Sequence, residues 1–239
     1  MELRQVMRTT PATREFASDP LPDQVLYEIL DHARFAPNGG NRQAWHVIVV
    51  RDPARKARLA DLWEVAQRED YAFYAAGLVP FVASEAYWRN RPGEPSEQPV
   101  NLEHARRTPV DHPAGTGPQA IADAPVVLLI TLDLTRVTAM DSGLGRLSIS
   151  AGGSVYPFAH NILLAARDDD FGGVVTSVLV RQEQAVNELF HIPNDHVLAC
   201  TIPPGKPSHQ ITRLRRKPVE EFTTVDDFSG APFVRPDAR

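Results

Sequence analysis

The sequence has few of the residues that build covalent or metal-based centres. Cys200 is the only cysteine among 239 residues, which excludes an internal disulfide and any cysteine-rich zinc or iron-sulfur site. The eight histidines show no metal-ligand spacing, and no phosphate-loop or H-E-x-x-H motif occurs. The nucleophile elbow at Gly153-Ser154 is incomplete, so Ser154 is predicted to be a helix N-cap. We therefore expect no metal ligands and no side-chain nucleophile.

Long apolar segments and an excess of positive charge are also lacking. The longest apolar run, Pro125 to Leu132, is too short to cross a bilayer, and the N-terminus has no signal-peptide core. The formal net charge of -5 gives no global attraction to nucleic acid or anionic lipid. We expect a cytoplasmic protein with no nucleic-acid partner and no membrane partner.

Hydrophobic patterning predicts an irregular alternation of helices and strands. Helical spacing of apolar residues predicts helices over Pro22–Ala36, Pro53 to about Ala75, Ser154–Arg167 and Gln182–Phe190. Runs of β-branched and apolar residues predict strands over Trp45–Val50, Pro125–Leu132, Val174–Val180 and His196–Ile202. Residues from about 84 to 118 hold six prolines and no sustained apolar period, which predicts a lid-like excursion. Residues 1–239 are predicted to form one α+β domain with this insertion.

Arginines cluster near both ends of the chain. Arg8 and Arg14 flank a turn rich in Thr and Pro, where Thr9 or Thr10 can add a hydroxyl donor. The second cluster comprises Arg213, Arg215, Arg216 and Lys217. Guanidinium groups hold phosphate oxygens through paired, charge-assisted hydrogen bonds, so the two clusters together suit a phosphate monoester. The alternatives are ordinary surface charges, or a polyanion-binding patch that the overall acidity disfavours.

Two glycine-containing segments complete the pattern. The segment from Pro37 to Trp45 reads PNGGNRQAW, and glycines there allow close approach of a flat ligand while the Asn41 amide can donate and accept. The alternative is a turn followed by a core tryptophan. The segment from Gly172 to Ser177 reads GGVVTS and is predicted to present backbone N–H groups near Thr176 and Ser177 to a ring nitrogen.

The stretch ARFAPNGGNRQAWHVIVV, residues 33–50, resembles the signature of the FMN-dependent nitroreductase family. The resemblance extends loosely from Arg8 and resumes from Ser154 through GGVVTS to RLRRKPVEEF. It implies a mixed, largely antiparallel sheet flanked by helices, and a homodimer with FMN at the subunit interface. The chain departs from the family pattern at Asn38 and Ala44 and in the wider spacing between Arg8 and Arg14.

The resemblance also implies cofactor-binding residues. Arg8, Thr9 or Thr10, and Arg14 would contact the FMN phosphate and ribityl chain, and the tail arginines Arg213 and Arg216 would complete the phosphate site. Pro37, Asn38 and Gly39 would line the ring, and Asn41 would meet its pyrimidine edge. Thr176 and Ser177 would supply the contact on the N5 side.

The resemblance implies an FMN-dependent oxidoreductase with a ping-pong cycle. NADH or NADPH would reduce the flavin, and a nitroaromatic, quinone-like or other electron-poor small molecule would reoxidise it, with the difficult chemistry carried by the cofactor. The alternatives within the same fold are reductive dehalogenation, ene reduction and flavin fragmentation. A non-catalytic flavin- or nucleotide-binding protein is the alternative of another class.

Overall fold

The computed structural model describes residues 1–75, 101–112, 117–140 and 149–236. These residues form seven α-helices and three strands, numbered in chain order. The α-helices are α1 (Leu3–Thr9), α2 (Asp23–Ala33), α3 (Pro53–Ala75), α4 (Leu102–Arg107), α5 (Gln119–Ala122), α6 (Gly152–Asp168) and α7 (Glu183–Phe190), and the longest 3-10 helix is Val178–Gln182. The strands are β1 (Trp45–Val50), β2 (Val127–Asp133) and β3 (His196–Ile202). Shorter 3-10 turns occupy Gly39–Asn41 and Val219–Glu221.

The strands form an antiparallel sheet in the order β1-β2-β3. Trp45 pairs with Leu132 and Val50 with Val127, while Leu128 pairs with Ile202 on the other side of β2. A register shift between Ile130 and Thr131 interrupts the β2–β3 ladder. The protein is thus α+β with a largely antiparallel sheet, as predicted. Parallel pairing in the described part of the chain is limited to the isolated bridge between Ala12 and Gly173.

Helices cover both faces of the sheet because successive strand residues point to opposite sides. One face carries Leu128, Ile130 and Leu132, which pack against apolar residues of α2 and α6. The other face carries Val127, Leu129 and Leu198, which pack against α3 and α7. Six of the seven side chains of β2 are buried, and Asp133 is the exception. The central strand therefore lies in the middle layer of a three-layer structure.

The predicted strand over Val174–Val180 is wrong. The chain makes isolated bridges at Gly172 and Gly173, just before this segment, and at Thr176 within it. It then turns into the 3-10 helix that begins at Val178. Leu179 in this turn is fully buried in the second core cluster. A short apolar run reports burial as readily as it reports a strand, which explains the error.

Helix positions were predicted well in the centre of the chain and less well elsewhere. Helix α1 was not predicted, because only Val6 and Thr9 of its seven residues are buried and the apolar stripe is too short to recognise. Helices α4 and α5 precede β2, where regular structure was not expected; Asn101 caps α4 by accepting a hydrogen bond from the His104 N–H. The rest of the predicted excursion, residues 84–100 and 113–116, lies outside the described residues.

Candidate functional site

The two ends of the chain meet beside α1. The side-chain amide of Gln210 donates to the Thr9 carbonyl oxygen at 3.2 Å. Further along, Phe16 and Pro207 form an antiparallel bridge, and the Ala17 N–H donates to the Lys206 carbonyl at 2.8 Å. Residues 9–17 and 206–210, called here the N-terminal arm and the C-terminal arm, therefore lie side by side.

A crossing of three glycines brings the arms against the middle of the chain. The Thr13 N–H donates to the Gly173 carbonyl at 2.9 Å, and Gly172 and Gly205 exchange two backbone hydrogen bonds of 2.9 Å. A Cβ atom at Gly172 would lie 2.6 Å from Thr13 Oγ1, and one at Gly205 would lie 2.7 Å from the Phe16 ring. These glycines therefore serve the close packing of the arms.

The predicted phosphate-binding arginines are exposed. Arg8, Arg14, Arg213 and Arg216 form no salt bridge within residues 1–75, 101–112, 117–140 and 149–236. Arg216 donates to the Arg215 carbonyl at 2.7 Å. Arg8 adjoins Thr9, and Arg213 follows Gln210 by three residues, so chain geometry limits the Cα separation of Gln210 and Arg213 to roughly 11 Å. The arms thus bring Arg8 and Arg213 to the same region.

The two candidate threonines differ in what they can offer. Thr9 is 8% exposed; its hydroxyl donates to the Gln5 carbonyl at 2.8 Å and accepts from Arg167 Nε at 3.2 Å. The half-buried Thr10 donates its hydroxyl to the Val6 carbonyl at 2.7 Å. Thr10 is therefore the better placed of the two to meet a ligand.

The Pro37–Gln43 loop has the strained backbone that its composition suggested. Gly40, Asn41 and Gln43 all have positive φ, at 63°, 51° and 48°. The Asn38 side chain is committed to the loop itself, since its Oδ1 accepts from the Gln43 N–H at 2.8 Å. Asn41 is exposed and lines a pocket of about 650 Å³ together with Gly40, Arg42, Gln43, Thr135 and Arg136.

Helix α6 anchors this loop through a residue whose role was mispredicted. Ser154 lies inside the first turn of α6 and is not its N-cap; its Oγ accepts from the Gly39 N–H at 3.2 Å. The Trp45 ring stacks on Phe158 of the same helix, with ring centroids 4.7 Å apart. A Cβ atom at Gly39 would lie 2.6 Å from Thr138 Oγ1, whereas one at Gly153 would meet open space. The loop and the start of α6 thus frame an open region beside Gly153.

The same helix connects the loop to the arms. At its other end Arg167 donates to the Thr9 carbonyl at 3.1 Å. Ser154 and Arg167 are 13 residues apart in the helix, which corresponds to about 20 Å along its axis. The loop and the arginine clusters therefore lie at opposite ends of α6 and are not in direct contact.

Thr176 and Ser177 are not equivalent. The Thr176 N–H donates to the Thr201 carbonyl at 3.0 Å, and the Thr201 N–H returns a bond of 2.8 Å to the Thr176 carbonyl. The Thr176 N–H is therefore committed, which corrects the expectation that both backbone groups are available. Ser177 is exposed, and its N–H makes no backbone hydrogen bond in the described part of the chain.

A buried carboxylate behind Ser177 was not predicted. Glu69 of α3 is 2% exposed and accepts from Arg106 of α4 at 2.5 Å, from Arg181 at 2.9 Å and from Gln182 at 3.1 Å. Arg181 and Gln182 belong to the 3-10 helix that begins one residue after Ser177. The contacts join residues far apart in sequence, and no local pattern identifies them.

Comparison with known proteins identifies the family. The sequence profile of the nitroreductase family matches residues 7–206. The chain belongs to the nitroreductase family. A 48-residue segment is 46% identical to an NADH dehydrogenase of Thermus thermophilus, and the match spans 20% of this chain and 23% of that protein. The nitrobenzene nitroreductase of Ectopseudomonas oleovorans is 25% identical over 92% of this chain and 94% of its own length.

The fold of this nitroreductase-family protein is also found in solved structures. A crystal structure of oxidized iodotyrosine deiodinase bound to FMN and 3-iodo-L-tyrosine superposes with a TM-score of 0.64, covering 95% of this chain and all of the other at 20% identity. Family members are typically flavin-dependent oxidoreductases. None of the helices in the described residues is both long enough and apolar enough to span a membrane.

Proposed function

We propose that this protein is an FMN-dependent oxidoreductase that takes electrons from NADH or NADPH and reduces a nitroaromatic, quinone-like or other electron-poor small molecule in the cytoplasm. The observation that carries the proposal is the set of exposed arginines in and next to the two hydrogen-bonded arms. Arg14 lies in the N-terminal arm, Arg8 directly precedes it, and Arg213 and Arg216 follow the C-terminal arm. None of the four has a carboxylate partner in the described residues. A dianionic phosphate is the ligand that such a cluster recognises.

The residues fit FMN at both ends of the molecule. Arg8, Arg14, Arg213 and Arg216 would hold the phosphate, with Thr10 as the hydroxyl donor in preference to Thr9. The Pro37–Gln43 loop offers an exposed Asn41 amide for a pyrimidine edge, and the space beside Gly153 is open. These two regions lie about 20 Å apart along the axis of α6.

The chain's part in the reaction is to bind and orient. When bound, FMN supplies the two-electron transfer between the nicotinamide and the acceptor. Pro37, Asn38 and Gly39 would line the ring, and the Ser177 N–H would donate to it. Glu69 would keep Ser177 in place by holding Arg181 and Gln182. No side chain is required as a general acid or base.

We further propose a homodimer with FMN at the subunit interface. The C-terminal segment exposes three phenylalanines, Phe222 at 65%, Phe228 at 101% and Phe233 at 57%, in a single chain. Exposed aromatic side chains concentrated on one segment are typical of association surfaces. Light scattering during gel filtration tests this part: a dimer is expected, and a monomer that retains FMN would contradict it.

Reductive dehalogenation is the second candidate. Support comes from the similarity to iodotyrosine deiodinases, one of them from Nematostella vectensis at 24% identity over 94% of this chain and 75% of its own length. This reaction would use the same phosphate site and ring-side loop, so it changes the acceptor and not the cofactor.

An acceptor panel tests both candidates. The purified protein is incubated with FMN, freed of excess flavin, and assayed with NADH or NADPH and either nitrobenzene, a benzoquinone or 3-iodotyrosine. Turnover of the nitro compound or the quinone supports the proposal, and turnover of the iodinated compound alone supports the second candidate. Failure to take up FMN would refute both.

A further inference from the structure

Arg167 is a buried cation at the end of α6. It is 6% exposed, and its Nε donates to the Thr9 carbonyl at 3.1 Å and to the Thr9 hydroxyl at 3.2 Å. Its Nη1 donates to Asp170 Oδ1 at 3.2 Å, but the Asp170 side chain is 82% exposed. Among these acceptors, the two on Thr9 are neutral and the single carboxylate faces water.

The positive charge of Arg167 is therefore only partly compensated. A buried charge is costly unless it is paired, and a hydrated carboxylate neutralises it weakly. The neighbouring Asp168 is engaged elsewhere, because it pairs with the amino terminus of Met1. The ends of α1 and α6 offset part of the cost, since helix C-terminal carbonyls favour cations. The remaining positive potential lies directly behind the N-terminal arm.

Thr9 connects this charge to both arginine clusters. Its carbonyl accepts from Arg167 and from Gln210, so one oxygen atom joins the end of α6, the N-terminal arm and the C-terminal arm. Arg8 and Thr10 are its chain neighbours. A displacement of Thr9 would move Arg8 and the start of the segment that leads to Arg213.

We propose that Arg167 is a positioning residue of the phosphate site: it fixes the Thr9 carbonyl on which both arms converge and adds positive charge behind the bound phosphate. The inference rests on the proposed function, because it assigns a role within the same FMN site. It predicts that Arg167 contributes to binding of the phosphate and not to binding of the flavin ring, because the ring and phosphate regions are separated by the length of α6.

The test compares FMN with riboflavin, which has the same ring and ribityl chain and no phosphate. Dissociation constants are measured by quenching of flavin fluorescence for the wild type, Arg167→Met and Arg167→Lys. Arg58→Met is the matched control, because it removes the same charge from an exposed pair with Asp61. Arg167→Met is expected to raise the FMN dissociation constant about tenfold or more and the riboflavin constant less than about twofold. Arg167→Lys should recover part of the loss, because lysine keeps the charge but not the planar fork.

A second variant keeps the test decisive if Arg167→Met does not fold. Gln210→Leu removes the other donor to Thr9 and should weaken FMN about threefold without affecting riboflavin. Equal weakening of FMN and riboflavin in the Arg167 and Gln210 variants, or no weakening of either, would overturn the inference and leave the proposed function standing. A wild-type protein that binds neither flavin would instead refute the proposed function itself.

Discussion

The side-chain amide of Gln210 lies 3.2 Å from the carbonyl oxygen of Thr9 and joins residues that are 201 positions apart in the sequence. This hydrogen bond places the basic tail beside the basic N-terminal arm. Arg8 and Arg14 lie on either side of Thr9, and Arg213 and Arg216 follow Gln210 in the sequence. Because these four arginines carry no carboxylate partners within the described residues, their charge is available to an anion.

Replacing Arg216 with alanine should weaken FMN binding without destabilising the fold. The side chain is exposed and donates a hydrogen bond to the carbonyl of its neighbour Arg215. One charge-assisted phosphate contact contributes about 1.5–3 kcal/mol, so the FMN dissociation constant should rise roughly 10- to 100-fold. Flavin titration and thermal unfolding of the flavin-free protein provide the two measurements. An equal loss of FMN affinity and of apoprotein stability would make Arg216 a structural residue.

Gly172→Ala should destabilise the crossing of the arms. The added Cβ would lie 2.6 Å from Thr13 Oγ1 and 3.2 Å from Thr13 Cβ, and overpacking of this kind costs about 1–3 kcal/mol. Gly153→Ala is the control, because a Cβ there meets open space and alanine favours the helix by about 0.5–1 kcal/mol. Denaturant unfolding of the apoproteins measures both. Adding Thr13→Ala should restore part of the stability of Gly172→Ala, and the absence of any rescue would place the strain elsewhere.

Glu69→Gln should be destabilising, although it replaces a carboxylate with an amide of nearly the same shape. The substitution puts a neutral amide opposite Arg106 and Arg181 at a site that is 2% exposed. Both arginines are partly exposed and Arg181 keeps its ion pair with Asp70, so the expected cost is about 1–3 kcal/mol. The matched control is Glu103→Gln, whose pair with Arg107 is about three-quarters exposed. That change should cost less than about 1 kcal/mol. Similar unfolding free energies for the two variants would show that the buried cluster contributes little.

Cys200 should make the stability fall at high pH. Burial raises the pKa of the Cys200 thiol to about 12, whereas the thiol of an unfolded chain ionises near 8.5. Between about pH 8.5 and pH 12 the folded state therefore retains a thiol proton that the unfolded state has released. The stability associated with the buried neutral thiol is complete below about pH 8.5 and is lost as the pH rises toward 12. At pH 10 this group should lower the free energy of unfolding by about 2 kcal/mol relative to its value below about pH 8.5.

The comparison that isolates this effect is Cys200→Ala, which lacks the titrating group. Its unfolding free energy, measured by urea unfolding, should decline less than that of the wild type between pH 8 and pH 10. Parallel declines in the two proteins would refute the assignment. The same burial predicts that a thiol reagent reacts with Cys200 only after unfolding.

Most of the core was predictable from the sequence because its signals are local. Trp45–Val50 and the apolar run of β2 pair along almost their whole length, and the apolar spacing in α6 matches the side chains that pack on the sheet. The run Val174–Val180 misled because β-branched residues at a buried turn resemble those of a strand. In that segment tertiary packing decides the backbone path.

The candidate site was predictable only in part. Arginine clusters and a glycine-rich loop are visible in composition, but their proximity depends on contacts such as Thr9–Gln210, which no local pattern encodes. The roles of Arg167, Ser154 and Glu69 were missed for the same reason. Each makes its defining contact with a residue at least 37 positions away: Arg167 with Thr9, Ser154 with Gly39, and Glu69 with Arg106.

The most direct test of the proposed function is an anaerobic titration of the FMN-reconstituted protein with NADH and with NADPH, monitored by the visible flavin absorption band. We predict that at least one nucleotide bleaches the band stoichiometrically and that a nitroaromatic compound or a quinone then restores it. Protein that takes up no FMN, or bound FMN that neither nucleotide reduces, would contradict the account.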